Sequence, residues 1–168
     1  MENYIVINGK KVEVSKEQLE TLGIWAERIE QKRNNPFDRV KFGEKYFVVT
    51  GYGTEDFKDV KDGMDNRYYR NCGYFNDKDF AIQVYLHELL NRKLLKYAYD
   101  NEAEDCDWDG ENEHYYICFN NVATKRFIVA GGSFDKCQKI YFSKEKVAEQ
   151  AIEDVVRPFM AEHPEFVW

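Results

Sequence analysis

Short runs of β-branched and aromatic residues, broken by turn pairs, alternate along this chain with longer stretches of three-to-four-residue apolar spacing. Tyr4-Ile5-Val6-Ile7 and Val12-Glu13-Val14 flank Asn8-Gly9. That pair readily supplies the positive φ a tight hairpin turn needs, so an N-terminal β-hairpin is predicted. Ser15 and Gln18 form a capping-box pattern ahead of Leu19, Leu22, Ile24 and Trp25, which predicts a helix. Asn34-Asn35-Pro36 ends it, because proline disfavours helix in the residue before it. Residues 1–36 therefore read as a hairpin and helix.

The rest of the chain repeats itself. Glu44-Lys45-Tyr46-Phe47-Val48-Val49 matches Glu113-His114-Tyr115-Tyr116-Ile117-Cys118 at an offset of 69 residues. Tyr74-Phe75-Asn76-Asp77-Lys78-Asp79-Phe80-Ala81 matches Tyr141-Phe142-Ser143-Lys144-Glu145-Lys146-Val147-Ala148 at an offset of 67. Two matches in the same order at nearly the same offset predict an internal duplication. Each unit would contain an aromatic strand, one or two further strands, and a Tyr-Phe strand end leading into a capped helix. Asn76 and Ser143 are the expected N-caps. Phe57–Val60 and Arg67–Phe75 are candidate strands of the first unit, and Arg126–Ala130 is one of the second. The first helix is expected from Asp77 to about Tyr99, and its broad apolar surface predicts burial on two sides. The last helix is expected from Lys144 to about Val156, ended or kinked by Pro158. The two aromatics of the tail, Phe166 and Trp168, predict that it docks.

The expected fold is α+β: antiparallel sheet pieces packed on helices, in two similar ββ(β)α units. The segments are 1–36, the first unit at 37–99, a connector at 100–112 and the second unit at 113–168, together making one compact domain.

Charge sharpens this picture. The 168 residues carry 24 Lys and Arg against 31 Asp and Glu, a net charge of −7. Eight of those acids lie between positions 100 and 113, with no base among them: Asp100, Glu102, Glu104, Asp105, Asp107, Asp109, Glu111 and Glu113. The 23 acids elsewhere nearly balance the bases. Crowded carboxylates repel one another unless a cation or a basic partner is near. Three readings follow. The run is a solvated loop; or it is a calcium loop, since Asp105-x-Asp107-x-Asp109-Gly110 matches half of an EF-hand; or it is a negative surface for a basic partner. The calcium pattern lacks its twelfth-position glutamate, which is Tyr116 here. Trp108, in mid-run, either anchors an interface or folds back over the sheet.

The same balance argues against direct binding of nucleic acid. No apolar run reaches membrane-spanning length and no leader-like segment opens the sequence, so no membrane association is expected. Cys72, Cys106, Cys118 and Cys137 form no C-x-x-C pair and read as reduced thiols of a cytoplasm. His87-Glu88-Leu89-Leu90-Asn91 has asparagine where a zinc helix needs its second histidine. There is no nucleophile elbow, phosphate loop or dinucleotide fingerprint. No enzymatic activity, resident metal or cofactor is expected, while exposed strand edges leave a homodimer open.

Several pieces carry a resemblance: Asn35-Pro36-Phe37-Asp38-Arg39-Val40, Leu86-His87-Glu88-Leu89-Leu90-Asn91-Arg92, Asp107-Trp108-Asp109, and Val156-Arg157-Pro158-Phe159-Met160 with His163-Pro164-Glu165-Phe166. In these the chain resembles small proteins of phages and mobile elements of gut Firmicutes, and proteins that look similar include inhibitors of type II-A CRISPR nucleases. The resemblance implies a cytoplasmic counter-defence protein acting by binding, with no catalytic residues. Its partner would be a host effector nuclease or another basic nucleic-acid-binding protein. The contact residues would be the eight acids and Trp108. A non-enzymatic scaffold and a calcium module built on Asp105, Asp107 and Asp109 are the alternatives.

Overall fold

A computed structural model describes residues 4–7, 10–13, 18, 35–104, 108, 111–120, 126–133 and 139–168. It is a mixed α+β structure of small antiparallel sheets and helices. The chain divides into two compact units, Met1–Asp38 and Arg39–Trp168. In the first, β1 (Tyr4–Ile7) pairs antiparallel with β2 (Lys10–Glu13), Tyr4 opposite Glu13. The Asn8-Gly9 turn and almost all of the expected Ser15 helix lie outside the described residues. Asn35 organises the turn at Pro36: its Oδ1 accepts from the Phe37 N–H and its carbonyl from the Asp38 N–H.

In the second unit β3 (Lys45–Thr50) and β4 (Gly53–Lys58) form a hairpin closed by Gly51-Tyr52. Gly53 sits at φ +146°, a conformation side chains rarely adopt. Alternation puts Tyr46 and Val48 inward, where both are buried with Tyr74. Helix α1 (Gly63–Arg70) follows. It replaces the strand expected over Arg67–Phe75. Asp62 accepts from the N–H groups of Met64 and Asp65, and Asp65 accepts from that of Asp62. This reciprocal cap outweighs the β propensity of Tyr68 and Tyr69.

Phe75 then returns to β3, exchanging two backbone hydrogen bonds with Phe47 (2.8 and 2.9 Å). Asp77, rather than Asn76, caps α2 (Lys78–Asp100) by accepting from the Phe80 N–H. The inward stripe of α2 is Ala81, Leu86, Leu90, Leu94 and Ala98.

The second hairpin pairs β5 (His114–Asn120) with β6 (Arg126–Ser133). Its register shifts between His114 and Tyr116. The Tyr115 ring lies so close to Gly131 that a Cβ there would be 2.6 Å from two ring atoms. Tyr115 and Phe142 exchange backbone hydrogen bonds of 2.9 and 2.7 Å, as Phe47 and Phe75 do. The two bridged strand residues, Phe47 and Tyr115, lie 68 residues apart, one residue away from the 69-residue offset of the sequence match. A one-residue slip exchanges the two faces of a strand, so the distinction decides which side chains face inward.

Helix α3 (Glu145–Ala151) starts after Lys144, which makes no side-chain cap, so Ser143 is not the N-cap. The expected end of this helix is instead a change of winding. Ile152–Val156 is a π turn, and α4 (Arg157–Glu162) continues from it. The Arg157 N–H donates to the Ile152 carbonyl five residues back. This wide turn receives Pro158 in the first turn of α4, where its missing N–H is tolerated. The main core gathers α2, α3 and α4 around Phe142, Val156, Phe159 and Phe166. The tail docks as expected. Phe166 lies edge-on to Phe159, and Gln83 clamps the backbone of Glu165 and Val167 through both amide atoms.

Candidate functional site

The acidic run begins inside α2. Asp100 is its last residue and pairs with Lys96 one turn earlier. Asn101 caps the helix, and Glu102 follows in the left-handed region at φ +51°. The Glu102 N–H donates to the Tyr99 carbonyl (3.2 Å), and the Ala103 N–H to that of Ala98 (2.8 Å). These two bonds define a Schellman cap whose left-handed position is normally glycine. Here it is an exposed glutamate. No basic residue stands in the last turn of α2, so Asp100 and Glu102 face the negative end of the helix dipole.

Ala103 is fully buried, and its carbonyl accepts from the Ser143 N–H. Glu104 forms a bridge with Phe142, extending the β5 sheet by one position. Its Oε2 is buried without a hydrogen-bond partner among the described residues. Asp105, Asp107 and Asp109 lie outside the described residues.

Trp108 turns inward. Its ring stacks on that of His114 at 3.8 Å and 4°, and meets Tyr141 edge-on at 5.0 Å. His114 is itself buried. Of the two roles open to Trp108 in the sequence, this packing is the second: it pins the run onto the sheet. Glu111 and Glu113 are exposed, and the Tyr115 hydroxyl donates to Glu113 at 3.1 Å. Asp100, Glu102, Glu111 and Glu113 are thus the exposed acids among the described residues of the run, while Glu104 is half-buried.

The EF-hand frame is not completed. The helix before the run is α2, but β5 follows it, and the twelfth position, Tyr116, lies within that strand. Among the described residues no group of three or more His, Cys, Asp or Glu is placed to hold a metal ion. None of their helices is long and apolar enough to cross a membrane.

Sequence reasoning missed a second charged cluster. Asp59 and Asp65, which nothing in the sequence singles out, are fully buried. Arg39 grips Asp59 with two hydrogen bonds of 2.6 and 2.9 Å, and the Tyr74 hydroxyl donates a third at 2.9 Å. The Lys61 N–H adds a fourth. Chiefly because of Arg39, the Asp59 carboxyl is held down to about 2. Asp65 accepts from the Tyr46 hydroxyl at 2.6 Å and from the N–H groups of Val60 and Asp62. Burial and this bond push the Tyr46 phenol well above its ordinary value. Asp59 is saturated by protein donors, and Asp65 binds three more. The cluster fastens Arg39 and the 59–62 loop to the hairpin; it is structural. The signal that could have found it is Tyr46, at an inward strand position, with Tyr74 beside the Phe75 bridge, since buried hydroxyls need acceptors.

No family model, curated protein or solved structure matches this chain.

Proposed function

We propose that this chain is a phage-type counter-defence protein of the bacterial cytoplasm. It acts by binding, without catalysis, a basic host complex that processes nucleic acid, such as a guide-loaded type II-A nuclease. The 100–113 carboxylates stand in for a phosphate backbone and compete for the groove that receives target DNA. The observation that carries this reading is the end of α2. A glutamate occupies the position glycine would fill best, and two acids oppose the helix dipole. Both choices lower the stability of the fold, and violated local preferences of this kind mark function. The matching hairpin, bridge and helix sets support an internal duplication, in which the connector joins two copies of one unit. The test is inhibition of the nuclease by the triple variant Asp105→Asn, Asp107→Asn, Asp109→Asn. Weakened inhibition with an unchanged melting temperature is expected. Full inhibition overturns the acidic-surface mechanism.

A second reading draws on the hairpins. Among the described residues β4 and β6 each pair on one side only. A scaffold built on those edges would self-associate, and the same triple variant would leave that unchanged.

A further inference from the structure

A cleft of about 340 Å³ opens between the last turns of α2 and the π turn that leads into α4. Its apolar lining includes Tyr97, Pro158 and Phe159. Asp154 also lines it, accepting from the Tyr97 hydroxyl at 2.7 Å and from the Gln150 amide at 3.1 Å. Those bonds fix the carboxylate in place, and Tyr97 above all keeps its pKa below the ordinary value. Glu162 also lines the cleft, and among the described residues it has no hydrogen-bond or ion-pair partner. Lys96 is occupied by Asp100, which leaves Lys93 as the one described lining cation outside an ion pair. The lining therefore carries one more negative than positive charge, beside an aromatic ring and a rigid proline.

The π turn builds this site. Asp154, which meets Tyr97, lies within this turn, and Pro158 follows in the first turn of α4, where the absence of an N–H is tolerated. Such turns often occur where a helix serves a function.

We propose that this cleft receives the guanidinium group of an arginine side chain on the basic partner, held by Asp154 and Glu162 and stacked on Tyr97. A planar fork of donors bonds several carboxylate oxygens at once, and guanidinium also packs on aromatic rings, whereas a lysine ammonium does neither as well. This inference deepens the proposed function and rests on its reading of the partner as a basic protein. The arginine supplies the specific anchor, and the 100–113 acids supply the long-range field. A free guanidinium metabolite shares the same chemistry.

The test is a titration of the isotope-labelled full chain, read by amide chemical shifts, with a short arginine-containing peptide. A lysine peptide of the same length and free arginine serve as the other probes. Saturable shifts at Tyr97, Asp154 and Glu162 are expected, at least about fivefold weaker for the lysine peptide and for the Glu162→Gln variant. Glu162 is exposed, so that variant leaves the fold intact. An equal response to lysine, or no effect of Glu162→Gln, overturns the site. Tighter binding of free arginine than of the peptide overturns the partner side chain as occupant. Shifts confined to the acids beyond Asp100, at positions 102–113, overturn the cleft while leaving the acidic-surface reading intact.

Discussion

Replacing Glu102 by glycine is expected to make the protein more stable. The residue occupies the left-handed position of the cap on α2, at φ +51°. A side chain there costs about 1–2 kcal/mol relative to glycine. Its carboxylate also faces the negative end of the dipole, a further ~0.3–1 kcal/mol. Glycine raises the entropy of the unfolded chain, which offsets about 0.4–1 kcal/mol. The balance is a gain of about 1 kcal/mol, or roughly 2–4 °C in melting temperature for a chain of this size. Glu102→Ala separates the contributions: it removes the charge but keeps the backbone strain, so its gain is limited to the dipole part. Urea denaturation of the three proteins at neutral pH, with unchanged m-values, measures the difference. A Glu102→Gly protein no more stable than the parent would refute the strained-cap argument, and with it the claim that the run sacrifices stability for charge.

Three other perturbations test the packing. Asp59→Asn leaves Arg39 without its counter-ion and is expected to destabilise by about 3 kcal/mol in chemical denaturation. Because folding lowers the Asp59 pKa from 3.8 to about 2, its contribution is present above pH 4 and fades as pH falls toward 2. The variant should lack that part of the acid transition; an unchanged transition contradicts the assignment. Gly131→Ala forces the Tyr115 ring aside and should lose about 1–2 kcal/mol by urea denaturation, while equal stability would show that the ring moves freely. Trp108→Ala removes the stack on His114 and should cost about 2 kcal/mol for a half-buried ring, read by thermal denaturation. A negligible loss would return Trp108 to the role of an interface anchor.

The parts of the fold legible in the sequence are those set by one local signal. The Asn8-Gly9 pair announced the strands at Tyr4 and Lys10, and the apolar spacing of Phe80 to Leu95 announced α2. The Tyr-Phe pairs located the bridges at Phe75 and Phe142, whereas their strand partners, Phe47 and Tyr115, lie 68 residues apart rather than the 69 of the apparent match. Where two local signals competed, the sequence misled. Tyr68 and Tyr69 favoured a strand, but the Asp62–Asp65 cap made α1. Pro158 suggested a helix end, but the π turn before it lets the helix continue. Burial of Asp59 and Asp65 was not legible, because it depends on Arg39, Tyr46 and Tyr74 arriving from distant positions. The acidic run was evident from composition, whereas its strained junction with α2 is visible only in the backbone.

Co-elution with a guide-loaded type II-A effector nuclease on gel filtration, at low and high salt and with and without target DNA, tests the central claim most directly. A complex that forms without DNA, weakens as salt rises and is excluded by bound DNA is the predicted result. A complex that forms equally well on the DNA-loaded nuclease, or no complex at any salt concentration, would contradict competition for the groove.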